Sequence, residues 1–188
     1  MPSFDRPAKP ESAISAWIER FATLVPPGAR VLDIAAGHGR HSRFFLARGC
    51  QVTAADIDTS NLSDIATRAD CKVMEVDLEA GNWPFSKTRF DAIVVTNYLH
   101  RPHFPLLINN LAANGVLLYD SFAAGNERFG RPRNPDFLLQ PGELLRAFVP
   151  PLQVVAYENG VEQEPRPAVR QRLCALRSDA PVPLGPSA

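Results

Sequence analysis

The sequence predicts an α/β fold: a doubly wound, mostly parallel sheet with helices on both faces and an antiparallel hairpin at one edge. Three observations carry that expectation. Short apolar runs of strand length alternate with segments of helical periodicity from Ile14 to Phe122, and a parallel crossover needs a dozen or so residues of the helical kind. The first apolar run ends in a small-residue turn, Ala35-Ala36-Gly37-His38-Gly39, which suits a tight strand-to-helix connection. The last two apolar runs are joined by a polar link too short for a packed crossover helix, so they pair as a hairpin.

The elements follow in order. Ile14, Trp17, Ile18, Phe21 and Val25 recur at helical spacing and give an opening helix that stops before Pro26-Pro27-Gly28. Residues 30–35 form the first strand, and the segment after Gly39 is helical up to Gly49, a residue suited to the position after a helix end. Residues 51–55 are the second strand, 60–69 a helix, 71–76 the third strand and 90–95 the fourth. Leu106, Leu107, Ile108 and Leu111 place a short helix within 105–113, ahead of a fifth strand at 115–122. A helix at 143–149 precedes two strands, 153–157 and 170–176, linked by 158–167.

Length and composition bound the class. A chain of 188 residues is one domain, taken as 11–177, between an N-terminal arm at 1–10 and a Pro-rich tail at 178–188. It can bury roughly 70% of its unfolded surface and needs no disulfide or metal to fold. Twenty Lys+Arg balance twenty Asp+Glu, so no net field draws the chain to nucleic acid or to an anionic membrane. Cys50, Cys71 and Cys174 are scattered and odd in number, which argues against a disulfide scaffold or a zinc site and fits a reducing compartment. No apolar run reaches the ~18 residues of a membrane span, and the first residues lack the apolar core of a secretory signal. The expected location is the cytoplasm.

The turn after the first strand carries the chemistry. Gly37 and Gly39 let the backbone bend sharply and approach a ligand closely, at the strand that borders the topological switch point of a doubly wound sheet. Asp56 ends the second strand about twenty residues on, where an acid accepts hydrogen bonds from ribose hydroxyls; the alternative role of capping the next helix suits Asp58 at least as well. Asp33 and Ser42 indicate which nucleoside. A dinucleotide site places a third glycine where Ser42 stands. A carboxylate at Asp33, just before the turn, repels a pyrophosphate and attracts an ammonium or sulfonium group.

These residues resemble the class I S-adenosylmethionine-dependent methyltransferases. Val-Leu-Asp-Ile-Ala-Ala-Gly-His-Gly-Arg-His-Ser (31–42) is similar to the family's Asp-x-Gly-x-Gly-x-Gly motif, with Ala35 in the place of the first glycine. Val-Thr-Ala-Ala-Asp-Ile-Asp (52–58), Val-Met-Glu-Val-Asp-Leu-Glu (73–79), residues 90–99 and residues 111–119 resemble the later blocks in order and spacing. The resemblance implies a Rossmann-like sheet of seven strands whose last strand is antiparallel. It also implies S-adenosylmethionine as methyl donor, with S-adenosylhomocysteine as product. The donor is expected on Asp33, Ala35, Gly37 and Gly39, on Asp56, which holds the ribose, on Ile57, on Asp77 and Leu78 beside the adenine, and on Asn97. Within the family the resemblance is to small stand-alone bacterial members of the tellurite-resistance type.

Two further segments are candidates for the acceptor. Asn97-Tyr98-Leu99-His100-Arg101 follows the fourth strand and faces the expected methyl group, so Tyr98 and His100 are the candidates for proton transfer and Arg101 for acceptor binding. The loop after the fifth strand is long, rich in Gly and Pro, and carries Arg128, Arg131 and Arg133, whose forked donors suit an anionic acceptor or a nucleic-acid backbone. His38 and His41 are read as lining the donor pocket or facing solvent, and Trp83-Pro84-Phe85 as packing against the adenine face or, in preference, in the core. The expected partner is a small-molecule acceptor. The rival readings are an NAD(P)-dependent oxidoreductase and a methyltransferase-like binding protein without turnover.

Overall fold

The structure, a computed structural model, describes residues 13–181; the expected N-terminal arm and all but 178–181 of the expected tail lie outside them. Seven strands make one sheet: β1 (Arg30–Ile34), β2 (Gln51–Asp56), β3 (Cys71–Glu75), β4 (Phe90–Thr96), β5 (Leu111–Phe122), β6 (Gln153–Glu162) and β7 (Ala168–Leu176). Their spatial order is β3-β2-β1-β4-β5-β7-β6. The first five pair in parallel, and β7 pairs antiparallel with both β5 and β6. The edge hairpin is formed as expected. Its inner strand is β7, and two reversals leave β6 outermost and running with the first five.

Five helices cover the sheet. α1 (Ala16–Phe21), α2 (Arg40–Ala47) and α3 (Ser63–Ala66) share one face, α4 (Phe104–Asn110) and α5 (Glu143–Phe148) the other. The strands feed both layers because successive side chains point to opposite sides. Val31, Val94 and Leu118 pack with Trp17, Ile18 and Phe45, whereas Leu32, Val95 and Leu117 pack with Phe104, Leu107 and Phe148. Each such fully buried side chain contributes about 1.5–3 kcal/mol, which is why these runs read as continuously apolar rather than alternating.

Two helices are shorter than their periodicity suggests. The expected helix over 60–69 is a 3-10 turn (Ser60–Leu62) followed by the single turn of α3. Only Leu62 and Ile65 are buried there, and the remaining Ser, Asp and Thr side chains compete for the backbone. The helix expected over 105–113 ends at Asn110, because Leu111 already pairs with Phe90 as the start of β5. The register then shifts across Asn114, which takes φ +61. No helix among the described residues is long and apolar enough to cross a membrane.

The strand order fixes where a ligand can sit. The chain runs outward from β1 to β3, then returns to place β4 on the other flank of β1. The connections leaving the carboxyl ends of β1 and β4 therefore diverge and open a crevice between them.

Candidate active site

The bend after β1 is built from three left-handed residues: Ala35 (φ +53), Gly37 (φ +55) and Gly39 (φ +70). That conformation costs an L-residue about 1–2 kcal/mol, and Ala35 carries the cost where the resembling motif has glycine. At Gly39 space adds to that cost, since a Cβ would run into the side chains of Leu62 and Arg43. A Cβ on Gly37 would meet nothing within 4 Å, so the outer side of the bend is open.

Two of the predicted acids frame this bend. Asp56 closes it from β2: Oδ2 accepts from the Gly37 amide at 2.7 Å and Oδ1 from the Asp58 amide at 3.0 Å. Half of the carboxylate's acceptor capacity remains for a ligand. Ile57 beside it is 67% exposed, an apolar face with no protein cover. Asp33 lies beneath the bend. It is buried, Oδ2 accepts from the Ser42 hydroxyl at 2.6 Å, and Oδ1 has no partner. Burial raises its pKa to about 6 against the lowering effect of the Ser42 bond. Asp33 thus ties β1 to α2 beneath the bend. Farther out, Asp77 Oδ1 accepts from the amides of Glu79 and Ala80 at 2.9 and 3.2 Å.

The turn after β4 is held from several sides. Asn97 takes φ +54, its amide donates to Asp120 O, and its Oδ1 accepts from Arg170 Nη2 at 2.8 Å. Arg170 thereby selects the end of the Asn97 side chain left for a ligand: the NH2 group. Tyr98 is fixed through its carbonyl, which accepts from the buried Tyr119 hydroxyl at 2.9 Å. Burial and the nearby Glu79 and Asp77 carboxylates push the Tyr98 phenol up, so it stays protonated at neutral pH and is no base. His100 turns to Glu79 (3.5 Å) and packs on the His103 ring. It lines neither of the cavities described below. His103 Nε2 sits 2.9 Å from Leu78 O, which puts the ring proton there and leaves Nδ1 to accept from Tyr98 at 3.4 Å. The Leu78 carbonyl is engaged by that bond. Trp83 and Phe85 belong to the core beneath, packed on each other, with Trp83 also against His103.

A cavity of about 1050 Å³ opens over the carboxyl ends of β4 and β5. Residues 13–16, the loop after β5 and the β6–β7 turn wall it in, and it meets a second cavity of about 300 Å³ at Asn97 and Phe122. At its floor lies Asp120, 2% exposed. Its Oδ1 accepts from Arg170 Nε at 2.7 Å and Arg172 Nε at 3.1 Å, its Oδ2 from the Ser15 hydroxyl at 2.7 Å. Burial alone would raise this carboxyl, but the two guanidiniums outweigh it and hold it below the usual carboxylate range. Arg172 continues to Glu158 and Glu162. Sequence reasoning overlooked Asp120, Arg170, Arg172 and Ser15. Their signals are an acid closing the apolar run Leu117-Leu118-Tyr119 and arginines at period 2 in Arg170-Gln171-Arg172.

His41 departs from expectation: it is 1% exposed instead of lining a pocket or facing solvent. Its Nε2 accepts from the Ser15 amide at 3.2 Å, which assigns the neutral ring's proton to Nδ1, 3.3 Å from Thr96 Oγ1. Burial, then Arg40, lowers its pKa to about 3. With Arg40 donating to Ala13 O at 3.1 Å, these bonds lay the segment before α1 across the cavity. His38 is exposed.

Among the predicted acceptor arginines, Arg101 is corrected outright. Its guanidinium grips Glu143 through Nε (2.6 Å) and Nη2 (3.1 Å) and the carbonyls of Asp136 and Leu138, so it pins the loop before α5 and has no fork left for a ligand. Arg128 folds back on the Gly125 carbonyl and the Phe129 ring. Neither it nor Arg133 lines the cavity; Arg131 does.

Comparison with known proteins agrees with this geometry. Residues 31–113 match a family model described as a methyltransferase domain. No curated protein matches the sequence. TehB from Haemophilus influenzae superposes with TM-score 0.73 at 18% identity, over 88% of this chain and 63% of TehB, so the chain spans under two thirds of that protein. A Burkholderia thailandensis 1,6-didemethyltoxoflavin-N1-methyltransferase, solved with that compound and S-adenosylhomocysteine, gives 0.66 at 19% identity over 87% of this chain and 76% of its own. The [4+2]-cyclase SpnF gives 0.66 at 13% identity over 85% and 79%. Residues 31–113 are thus similar to a methyltransferase domain, and the described chain shares the Rossmann-like, seven-stranded fold of these structures.

Proposed function

We propose that this chain transfers the methyl group of S-adenosylmethionine to a small anionic acceptor held in the large cavity. The observation that carries the reading is the bend itself. Asp56 and an open-sided Gly37 lie within one hydrogen bond of each other, above a buried acid with an unpartnered oxygen. Those residues fit an adenosyl cation. Asp56 has acceptor capacity for ribose hydroxyls, Ile57 offers an apolar face to adenine, and the charge of Asp33 favours a cation over a diphosphate. Ser42 answers the NAD(P) alternative, because its hydroxyl satisfies Asp33 where a dinucleotide site would have glycine. The fold alone does not decide the reaction, as SpnF illustrates.

When bound, the donor supplies a methyl group already activated by its sulfonium. The chain's own residues have the task of orientation. Asn97, fixed by Arg170, offers its NH2 group at the junction of the two cavities. Residues 13–16 form one wall of the cavity. Alignment of this kind supplies roughly 7–11 kcal/mol of barrier reduction. Three of the groups at the site are not ready bases. Asp120 is held ionised by two arginines, His41 has both ring nitrogens engaged, and the Tyr98 phenol is pushed up. An acceptor that arrives with its attacking lone pair already free matches that inventory.

Titration calorimetry with S-adenosylmethionine, S-adenosylhomocysteine and NAD tests the donor. Binding of the first two without the third is expected, and NAD binding, or no S-adenosylhomocysteine binding, overturns the reading. Transfer of a labelled methyl from the donor into fractionated cell extract then tests turnover, with label expected in the anionic small-molecule fraction. Donor binding without any transfer would favour the binding-protein alternative.

A further inference from the structure

We propose that the large cavity holds an acceptor with two parts, an anionic group received by Arg131 and Arg166 and an apolar body laid against Phe122 and Phe129. The proposal deepens the methyl-transfer reading above and rests on it for the acceptor's role. It rests for binding on the cavity alone.

Charge comes first. Five arginines line the cavity, Arg40, Arg131, Arg166, Arg170 and Arg172, against three acids, Asp120, Glu162 and Glu164. Arg170 and Arg172 are already matched to Asp120, and Arg172 also to Glu162. Arg40 is engaged with Ala13 O. Arg131 and Arg166 have no hydrogen-bond or ion-pair partner among the described residues. They reach the cavity from different elements, Arg131 from the loop after β5 and Arg166 from the turn between β6 and β7. Two unmatched guanidiniums facing one space, with Glu164 as the only unmatched acid among its lining residues, leave it positive. Guanidinium forks suit the paired oxygens of a carboxylate or phosphate.

The apolar part follows from the remaining wall. Phe129 is 43% exposed and lines this cavity. Phe122 forms the junction with the smaller cavity, its ring held under the Arg170 guanidinium at 4.6 Å. Ile14, Pro165 and Pro167 continue the apolar lining. An inorganic anion would leave these faces wet, whereas an aryl or alkyl body covers them. About 1050 Å³ lies just above the usual range for small-molecule sites, so such an acceptor fits the cavity.

Equilibrium binding of four probes to the full chain tests the inference: benzoate, phenyl phosphate, benzamide and inorganic phosphate, each with and without S-adenosylhomocysteine. Wild type is expected to bind benzoate or phenyl phosphate at least tenfold more tightly than benzamide and than inorganic phosphate, with affinity falling as NaCl rises. In the double variant Arg131→Ala/Arg166→Ala that affinity is expected to drop at least tenfold, and in Arg131→Lys/Arg166→Lys to recover in part. S-adenosylhomocysteine affinity should change less than twofold in both variants. Benzamide binding as well as benzoate, inorganic phosphate binding as well as phenyl phosphate, unchanged aryl-anion binding in the double alanine variant, or no aryl-anion binding in wild type would each overturn the proposal. The methyl-transfer reading fails separately, by loss of S-adenosylhomocysteine binding in wild type.

Discussion

Replacing Asp33 by asparagine is expected to change the pH dependence of stability in a direction opposite to that of ordinary carboxylates. Asp33 is 1% exposed and one of its oxygens has no partner, so ionisation is harder in the folded chain than in the unfolded one. Burial raises its pKa from 3.8 to about 6. The folded state therefore binds the proton more tightly between those values. Its stabilising contribution is complete below pH 3.8 and is lost as pH rises through 6. At 1.36 kcal/mol per pH unit the loss totals about 3 kcal/mol. The substituted amide does not titrate, so the stability difference, variant minus wild type, should climb by about 3 kcal/mol from roughly pH 3.5 to pH 7. The starting offset is negative. The amide NH2 group would occupy the place of the unpartnered Oδ1, and a buried unsatisfied donor costs about 1–3 kcal/mol. Urea melts of both proteins at half-unit pH intervals measure the difference, because every other titrating group cancels. A flat difference would mean that Asp33 ionises as easily folded as unfolded. A falling one would mean that a cation already neutralises it. The flat result would refute the desolvation of Asp33, and the falling one would remove the electrostatic reason for preferring an adenosyl cation at the bend.

Other outcomes follow from single contacts. His41→Asn should give the opposite sign: the folded ring resists protonation down to about pH 3, so wild-type stability contributed by His41 is lost as pH falls from 6.5, and the variant's difference curve should rise toward acid. Asp56→Ala removes the acceptor for the Gly37 amide and the expected ribose ligand; calorimetry should show at least a tenfold loss of S-adenosylhomocysteine affinity, with stability lower by roughly 1 kcal/mol. Ala35→Gly should leave thermal stability unchanged or raise it by up to about 1 kcal/mol, against the usual cost of glycine, because φ +53 strains only the alanine. Arg101→Ala should destabilise by about 1–3 kcal/mol in denaturant melts through loss of charge-assisted bonds to Glu143, with no change in the binding of benzoate or phenyl phosphate.

What the sequence disclosed and what it concealed separate along the range of the interactions. The bend was legible because its determinants are local. Asp33, Gly37 and Gly39 lie within seven residues, and the requirement for positive φ is written in the residue types. Asp56 was legible because parallel pairing of β1 with β2, Asp33 beside Ala54, brings the ends of successive strands together. Arg101 misled for the complementary reason. Its partner Glu143 is 42 residues away, and an arginine after β4 looks the same in sequence whether its fork is open or spent. Arg128, Arg131 and Arg133 share one loop, but only Arg131 faces the cavity. Which residues of an irregular loop face inward is set by packing that no periodicity encodes.

The cavity floor shows most clearly how topology makes a site from ordinary residues. In an all-parallel sheet β5 would be followed by a neighbour whose connection also left at the carboxyl end, and nothing in β6 would return to Asp120. Insertion of β7 antiparallel between β5 and β6 puts Arg172 directly opposite Asp120 and Arg170 opposite Phe122. Side chains directly opposite share a face, so the acid and both arginines emerge together. Phe122 lies under Arg170 for the same reason. The end of β6 and the β6–β7 turn then carry Glu162, Glu164 and Arg166 over the same edge. Arg170 reaches past Asp120 to orient Asn97 on β4's turn. One reversed strand therefore supplies the charge balance of the cavity, the aromatic wall's cation and the fixed amide beside the expected methyl group. Substitutions at Asp120 should consequently affect the Asn97 turn as well as β5, since removing the acid leaves two partly buried guanidiniums to compete for the remaining acceptors: Asp120→Asn is expected to lower stability by about 1–3 kcal/mol. Arg170→Lys keeps the charge without the fork that spans Asp120 and Asn97, so methyl transfer should fall more than S-adenosylhomocysteine affinity. Equal losses in both would show that Asn97 needs no help from β7.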